Sequence, residues 1–180
     1  MSCDLLIDYV RRNNHGENLR SGFQLAESAA NTFTQGSVDL NLDPLNQEVF
    51  VVESINLDPL SPDVTPGVNS STECSLTTTT QTTVANLGNA NCMATARLDI
   101  RTDGSLAAVS AGVPFTRQSV EAPSTGLEYI GIIATNDFFL QVEGQGNTLA
   151  KGLSGKLYGY RARADAAIFS ALVQSEVLSA

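Results

Sequence analysis

The stretch EYIGIIATNDFFLQVEGQGNTLAKGLSGKLYGYRAR, residues 128–163, contains three apolar or alternating runs bounded by Gly, Asn or Asp. Short runs with such boundaries are typical of β-strands rather than helices. In the second run Phe138, Leu140 and Val142 share one face, because side chains alternate with a period of two along a strand. This stretch therefore predicts a sheet whose apolar face packs against a core.

The composition of the whole chain also favours a β-rich protein. The chain has 180 residues, and only 16% of them are charged. Helical bundles usually carry more Glu and Lys. A chain of this length can bury roughly 70% of its extended surface, so we expect one domain with short appendages.

The chain is acidic, with a formal net charge of −9 and a pI of about 4.4. Nucleic-acid affinity comes mainly from Lys and Arg that displace counterions, so we expect no direct binding to nucleic acid. Lys151 and Lys156 are the only lysines. Scarce Lys on an acidic chain is typical of proteins from salt-rich settings, where salt screens self-repulsion, and compositional drift is the alternative explanation.

Eight strands are predicted along the chain. The clearest alternation lies in residues 92–101, where small and apolar side chains occupy every second position. The following turn, residues 102–104, predicts a tight hairpin, because Asp-Gly supplies the positive φ that such a turn needs. Residues 61–72 and 114–126 are predicted to be connections, since Pro, Gly and Ser interrupt them. The predicted strands are residues 37–42, 48–57, 75–84, 92–101, 105–112, 129–134, 138–144 and 155–163.

Helices are predicted at both ends. In residues 1–35 a first helix carries a narrow apolar stripe, and Ser21 and Gln24 form a capping-box pair that predicts a second helix. In residues 165–180 Asp165 is a suitable N-cap for a third helix with a broad apolar face that needs a partner surface. The predicted organisation is an N-terminal helical arm (1–35), a β-sandwich (36–164) and a C-terminal helix (165–180).

No catalytic, cofactor-binding or metal-binding motif is recognisable in the sequence. A nucleophilic triad needs a base, and the single His15 lies in a polar segment that we predict to be exposed. Asp39, Asn41 and Asp43 have the spacing that begins a calcium loop, but Pro44 stands where that loop needs Gly. We therefore expect no enzyme, no cofactor and no bound metal.

Several other residues allow two structural interpretations. Cys3, Cys74 and Cys92 are predicted to be buried free thiols, although a Cys74–Cys92 disulfide is possible. If the flanking runs pair through a turn near Gly88, Cys92 lies opposite Val84. The basic residues Arg11, Arg12, His15 and Arg20 are either a solvated helix end or a contact for an acidic neighbour or lipid headgroups. Tyr129, Tyr158 and Tyr160 either pack within the sheet or stack on sugars or on another subunit.

Three further patterns give structural expectations. Gly144-Gln145-Gly146 is predicted to link two strands rather than to bind phosphate, because no helix follows it directly. The Asn69-Ser70-Ser71 sequence matches a glycosylation acceptor. No run approaches the roughly 20 apolar residues that span a bilayer, and no signal peptide is visible at the N-terminus, so we expect neither a membrane span nor a secretion signal.

The chain resembles the single jelly-roll coat proteins of icosahedral viruses, above all the small major capsid proteins of archaeal, including haloarchaeal, and bacterial viruses with an internal membrane. The resemblance lies in the run FFLQVE (138–143), the strand GKLYGYR (155–161) and the C-terminal helix, together with the acidic, Lys-poor composition. Eight strands are also the number in a two-sheet jelly roll. In that fold the predicted hairpin at residues 102–104 would join the fourth and fifth strands.

This resemblance implies a mainly β, eight-stranded jelly-roll sandwich with helices at both ends. It implies a structural virion protein, a capsid (coat) subunit that self-assembles into an icosahedral shell and is located in the virion. The implied partners are copies of the chain and another coat protein, with internal membrane lipid as a further partner. Two alternatives are a virion spike, turret or decoration protein that binds a receptor or glycan, and a free carbohydrate-binding sandwich with Tyr158 or Tyr160 in its groove.

Overall fold

The structure is a computed structural model that describes residues 19–102, 112–117, 120–122 and 127–178. Several sequence predictions lie outside these residues: the first helix of the N-terminal arm, the surroundings of Arg11, Arg12 and His15, the state of Cys3, the turn at 103–104, and nearly all of the return strand at 105–112.

Within the described residues the chain forms ten strands and one α-helix. Strands β3, β5, β9 and β10 confirm four predicted strands, and β2 and β8 overlap two more. A short 3-10 helix, Pro44–Asn46, lies between β2 and β3. The elements are β1 (Leu19–Ala26), β2 (Thr34–Asp39), β3 (Glu48–Pro59), β4 (Ser70–Thr77), β5 (Cys92–Arg101), β6 (Val113–Arg117), β7 (Val120–Glu121), β8 (Gly131–Ile133), β9 (Asp137–Gln145), β10 (Gly152–Arg163) and α1 (Ala166–Leu178).

The strands form two antiparallel sheets that pack face to face. Sheet A has the order β1-β10-β3-β7, and β8 also pairs with β3. Sheet B has the order β2-β9-β4-β5-β6. One buried apolar cluster contains side chains from both sheets, which places the core between them. The prediction of a mainly β sandwich is therefore confirmed.

Alternation along the strands builds the core. Phe138, Leu140 and Val142 are at most 1% exposed, as the sequence pattern predicts. In β3, Val52 and Ile55 both lie in this cluster although three positions separate them. An irregularity in the β3–β10 register at this point accommodates the extra residue, as a β-bulge does.

The C-terminal helix α1 packs on the outer face of sheet A. Phe169, Leu172 and Val173 contact a second apolar cluster that includes Val51 and Tyr160. Asp165 caps the helix, because its Oδ1 accepts a hydrogen bond from the Ala167 N–H at 2.8 Å. The predicted helix and its cap are confirmed, and its partner surface is the sheet of its own chain.

The second helix predicted in residues 1–35 is wrong. Leu19–Ala26 is strand β1 of sheet A, so the sandwich begins before residue 36. Ser21, Phe23 and Leu25 are half-buried, while the residues between them are exposed. This alternation is that of a half-buried strand, which β1 forms by pairing with β10 along its whole length.

The Thr-rich strand lies earlier than predicted. Strand β4 ends at Thr77, and residues 78–91 cross the outer face of sheet B as a loop. Ser75 Oγ donates to Gln141 Oε1 at 2.7 Å and accepts from the Ala85 N–H at 3.0 Å, so a buried polar network holds this loop. The start of β4 at Ser70 also corrects the predicted loop over residues 61–72.

Cys74 and Cys92 are not joined to each other by a disulfide. Cys74 lies opposite Ala96 and Cys92 lies opposite Thr77, so the possible disulfide and the Cys92–Val84 pairing are both wrong. Cys74 is buried as predicted, and its burial raises the pKa of the thiol to about 12. Cys92 is only half-buried.

Strand β5 pairs with a strand that begins later than predicted. Arg101 lies opposite Val113, so the partner of β5 is β6, and the predicted turn at residues 103–104 lies outside the described residues. Strands β6 and β7 both fall in residues 114–126 or at their edge, which were predicted to be a connection. A sequential antiparallel pair is present here, but its second strand begins later in the chain.

Candidate functional surfaces

Three loops meet at one end of the sandwich: residues 27–33, 60–69 and 146–151. The carboxylate of Glu27 is 6% exposed and lies at their centre. It accepts hydrogen bonds from the backbone N–H groups of Gly144 and Lys151, both at 2.6 Å, and from that of Thr32 at 3.1 Å. These bonds join the β1–β2 loop to the β9–β10 loop.

A second carboxylate joins the β3–β4 loop to the same place. Asp63 Oδ1 lies 2.5 Å from Nζ of Lys151, whose side chain is 5% exposed. Asp63 Oδ2 accepts from Thr148 Oγ1 at 2.8 Å and from the Thr148 N–H at 2.9 Å. The Lys151 ammonium, and after it the Thr148 donors, hold the pKa of Asp63 well below its usual range.

Asn147 completes this arrangement. Its Nδ2 donates to the Ser71 carbonyl at 2.8 Å, and its Oδ1 accepts from the Asp63 N–H at 2.9 Å. Its backbone exchanges two 2.8 Å hydrogen bonds with the side chain of Asn31. We call Glu27, Asn31, Asp63, Asn147 and Lys151 the loop clamp. Because these groups bond to one another, the clamp fixes loop conformation and leaves little capacity for a ligand.

The clamped loops present apolar side chains to solvent. Leu149 is 68% exposed, Val64 67%, Leu60 57% and Val68 37%. The Leu149 N–H donates to Oδ2 of Asp63 at 3.1 Å, and the Leu60 N–H donates to the Gly152 carbonyl at 2.7 Å. These two bonds bring the loops side by side. We call these four residues the loop-end surface. An exposed apolar cluster of this kind is typical of an interaction site.

The outer face of sheet A is divided into two halves. Helix α1 covers the half that contains Val51 and Tyr160. The other half is open and mostly polar, and its residues form three rows across β1, β10 and β3. The rows are Arg20–Tyr158–Ser54, Gly22–Lys156–Asn56 and Gln24–Ser154–Asp58.

The outer face of sheet B has charges that pair with one another. The guanidinium of Arg97 donates to both carboxylate oxygens of Asp99, at 2.7 and 2.8 Å, and forms an ion pair with Glu73. Arg101 adds a contact with Asp99 at 3.2 Å. The hydrogen bonds that Arg97 donates to Asp99 raise the pKa of Arg97 above its ordinary value. These two arginines and two carboxylates therefore balance one another.

Glu176 fastens the C-terminal helix to the sandwich. Its Oε1 accepts from the Ala134 N–H and its Oε2 from the Thr135 N–H, both at 3.0 Å. The side chain is 8% exposed, so the two backbone donors between β8 and β9 are satisfied inside the protein. Its position three turns into the helix ties the far end of α1 to the sheet.

The calcium-like residues have other partners. Asp39 Oδ1 accepts from the Asn41 N–H at 2.6 Å and from Asn136 Nδ2 at 2.8 Å. Asp43 caps the short 3-10 helix. In the described ranges no group of three or more His, Cys, Asp or Glu side chains could hold a metal ion.

The other singled-out residues are placed as follows. Tyr160 is 7% exposed beneath the helix, so it is not available to a sugar, whereas Tyr158 is half-buried on the open half of sheet A. Tyr129 packs against the cluster beneath α1. Gly146 follows β9 with a φ of 66° and links it to β10, as predicted. Asn69 Oδ1 accepts from the Thr102 N–H at 2.9 Å.

The sequence did not indicate the loop clamp or the open half of sheet A. Lys151 and Asp63 are 88 positions apart, and no local pattern marks such a pair. Residues 1–35 were predicted to be a helical arm, and this hid the strand alternation that places Arg20 and Gly22 on the same face as Lys156. The sequence signal that could have indicated this strand is the alternation of Phe23 and Leu25 with Gly22, Gln24 and Ala26.

In the part of the chain that the structure describes, no helix has both the length and the apolar character needed to cross a bilayer. Neither a protein-family model nor a curated protein sequence matches this chain. Among solved structures, a chain described as Desmodium yellow mottle tymovirus is similar with a TM-score of 0.33 and 12% sequence identity, over 86% of this chain and 93% of that chain.

A second similar structure is described as turnip yellow mosaic virus. Its TM-score is 0.29 and its sequence identity 11%, over 84% of this chain and 85% of that chain. At these TM-scores the likeness says nothing about what this chain does.

Proposed function

We propose that this chain is a structural virion protein: a capsid subunit with a jelly-roll sandwich that assembles with copies of itself into an icosahedral shell. The observation that carries the proposal is the pattern of strand pairing. It comes from the described strands of this chain alone.

A jelly roll is an antiparallel ribbon of four strand pairs wrapped into two sheets, in which the first strand pairs with the last and each inner pair follows in turn. Strand β6 is an additional strand at the edge of sheet B. Strands β7 and β8 both pair with β3 and together take the place of the sixth strand of a jelly roll. The pairs are then β1 with β10, β2 with β9, β3 with β7 and β8, and β4 with β5. The fourth and fifth strands are thus joined by residues 78–91, not by the hairpin at 102–104.

Jelly rolls occur in capsid proteins, lectins and cupins, so the fold alone does not indicate the function. The surfaces of the protein have to distinguish these classes. The space between the sheets is occupied by large buried apolar side chains such as Phe50, Phe138 and Leu157. The loop-end surface, by contrast, exposes four apolar side chains on loops that the clamp holds in place. Rigid apolar contacts favour association, because little conformational entropy is lost on binding.

The proposal can be tested by electron microscopy and sedimentation velocity of the purified chain at high protein concentration and high salt. We expect closed particles from the wild type. The double variant Val64→Asp, Leu149→Asp should remain a protomer, because it places two charges in the proposed contact. Leu45→Asp is the matched control, since Leu45 is 90% exposed in the β2–β3 loop at the other end of the sandwich. A wild-type chain that stays a single protomer under all conditions would contradict the proposal.

A second coat protein and an internal membrane are further proposed partners. With a net charge of −9, the subunit would be repelled by packaged nucleic acid but would tolerate a lipid layer beneath the shell. Particles formed with and without lipid vesicles can be compared by flotation in a density gradient. Co-flotation of the chain with vesicles supports the lipid partner, and sedimentation without them opposes it.

A further inference from the structure

We propose that the open half of the outer face of sheet A binds an acidic oligosaccharide, one that carries a carboxylate or sulfate group. We call this the sheet A face. It consists of exposed or half-buried residues from three neighbouring strands, and it is complete within one protomer: Arg20, Gly22 and Gln24 of β1, Ser154, Lys156 and Tyr158 of β10, and Ser54, Asn56 and Asp58 of β3.

The register places two cations around an open position. Arg20 lies opposite Tyr158, and Gly22 lies opposite Lys156, so Arg20 and Lys156 are diagonal neighbours on the same face. Diagonal neighbours in an antiparallel pair are about 7 Å apart, within reach of long side chains that converge on one anion. A Cβ built at Gly22 would meet nothing within 4 Å, so an anionic group can lie against the strand between the two cations.

The sheet A face carries two cations on an acidic chain. The chain has a net charge of −9, yet neither Arg20 nor Lys156 forms an ion pair in the ranges that the structure describes. On sheet B, by contrast, Arg97 and Arg101 are paired with Glu73 and Asp99. Cations that keep their charge available attract an anionic ligand, whereas paired cations do not.

A groove beside the two cations supplies groups that suit the neutral part of a sugar. Its volume is about 620 Å³. The amide of Gln24, the carboxylate of Asp58 and the hydroxyl of Ser154 line it, and they are complementary to sugar hydroxyl groups. Tyr158, half-buried beside the cations, offers apolar surface for the C–H faces of a sugar ring.

This site does not depend on assembly, so its failure and the failure of the capsid proposal are separate results. In a shell that exposes sheet A, the same site would attach the particle to acidic glycans of a host surface. A single protomer should already bind the sugar.

Isothermal titration of the full chain with four probes tests the proposal: 3′-sialyllactose, a heparin-derived sulfated disaccharide, neutral lactose and inorganic sulfate. We expect at least one acidic sugar to bind roughly tenfold or more tightly than lactose and than inorganic sulfate, since charge-assisted hydrogen bonds supply the difference. Lactose that binds equally well, inorganic sulfate that binds equally well, or no binding by either acidic sugar at millimolar concentration would each overturn the proposal.

Variants locate the site. Lys156→Glu should weaken binding of the acidic sugar about tenfold or more, and Gly22→Phe should block it while leaving the Tm unchanged, because the position is open. Arg101→Glu makes the same charge change on sheet B and should bind like the wild type. Equal losses in Arg101→Glu and Lys156→Glu, or wild-type binding by a folded Gly22→Phe, would show that the sheet A face is not the site.

Discussion

A buried lysine on an acidic chain has to be paired, and Lys151 shows how. Its side chain is 5% exposed, and its ammonium lies 2.5 Å from Asp63. A buried ammonium without a partner would be strongly unfavourable, so this contact fixes the β3–β4 loop against the β9–β10 loop. The loop-end surface depends on it, because Val64 directly follows Asp63 and Leu149 lies two positions before Lys151.

The Asp63 contact predicts how stability changes with pH. The folded-state pKa of Asp63 lies below its unfolded value of about 3.9, so its contribution is fully present above that value and is lost as pH falls through the lower folded pKa. Thermal unfolding followed by circular dichroism should show Asp63→Asn with a lower Tm than the wild type near pH 7. The difference should shrink as the pH falls below about 4.

The matched control is Asp58→Asn, which changes an exposed carboxylate of sheet A. It should leave the Tm close to that of the wild type at every pH. If the Tm of Asp63→Asn were lower than that of the wild type by the same amount at low and neutral pH, the shape of the Asp63 side chain and not its charge would account for the effect.

Single residues were predicted well where the signal is local. The inward positions of β9 and of β5 follow from alternation alone, and Ala94, Ala96 and Phe138 are buried as expected. Most partners of Glu27 and Asp63 could not be predicted, because Gly144, Thr148 and Lys151 lie more than 80 positions away along the chain. Polar groups in loops carry no periodic pattern that would indicate a shared location.

At the scale of elements, β1 shows why a local signal can mislead. Ser21 and Gln24 have the spacing of a capping box, but Ser21 lies within a strand whose partner, β10, is more than 130 positions away. Tertiary pairing with that partner overrides the weak helical preference of a short segment. The alternation of Phe23 and Leu25 is equally visible in the sequence and is the pattern that packing selects.

The Thr-rich segment illustrates a second limit. Residues 77–80 have high β propensity, yet Thr77 Oγ1 donates to the Thr79 carbonyl at 2.7 Å, and the strand ends there. Hydroxyl side chains that bond to nearby backbone compete with a sheet ladder. Propensity therefore placed the strand in the right region, but local side-chain bonding set where it stops.

Helix α1 should depend on Glu176 for its docking. Glu176→Gln loses the charge and one of two acceptor oxygens, so one backbone donor near β8 loses its partner. We expect a loss of about 2 kcal/mol in the free energy of unfolding, measured as a lower urea midpoint with an unchanged m-value.

Gln174→Ala provides the control for this helix prediction. Gln174 is exposed two residues earlier on α1, and its replacement should change the free energy of unfolding by less than about 0.5 kcal/mol. A Glu176→Gln variant as stable as the wild type would mean that the apolar contacts of Phe169 and Leu172 hold the helix without the carboxylate.

At the scale of the whole molecule, the number of strands could be estimated from the sequence, but their partners could not. Eight runs indicated a two-sheet sandwich, whereas the pairing of β1 with β10 joins opposite ends of the described chain. Such pairings depend on how the apolar faces of all strands close a common core. Where no tight turn connects two strands, the sequence of this one chain does not indicate that they pair.

Net charge predicts that assembly and sugar binding respond to salt in opposite directions. Copies that each carry −9 repel one another, and raising the ionic strength from about 0.05 to 0.5 M shortens the Debye length well below 10 Å. Light scattering should therefore show more assembled protein at high salt, since the apolar contacts of the loop-end surface are not screened. Binding of an acidic sugar to Arg20 and Lys156 should weaken over the same range, because salt screens that attraction. If the assembled protein dissociated as salt increased, charge pairing and not apolar contact would hold the copies together.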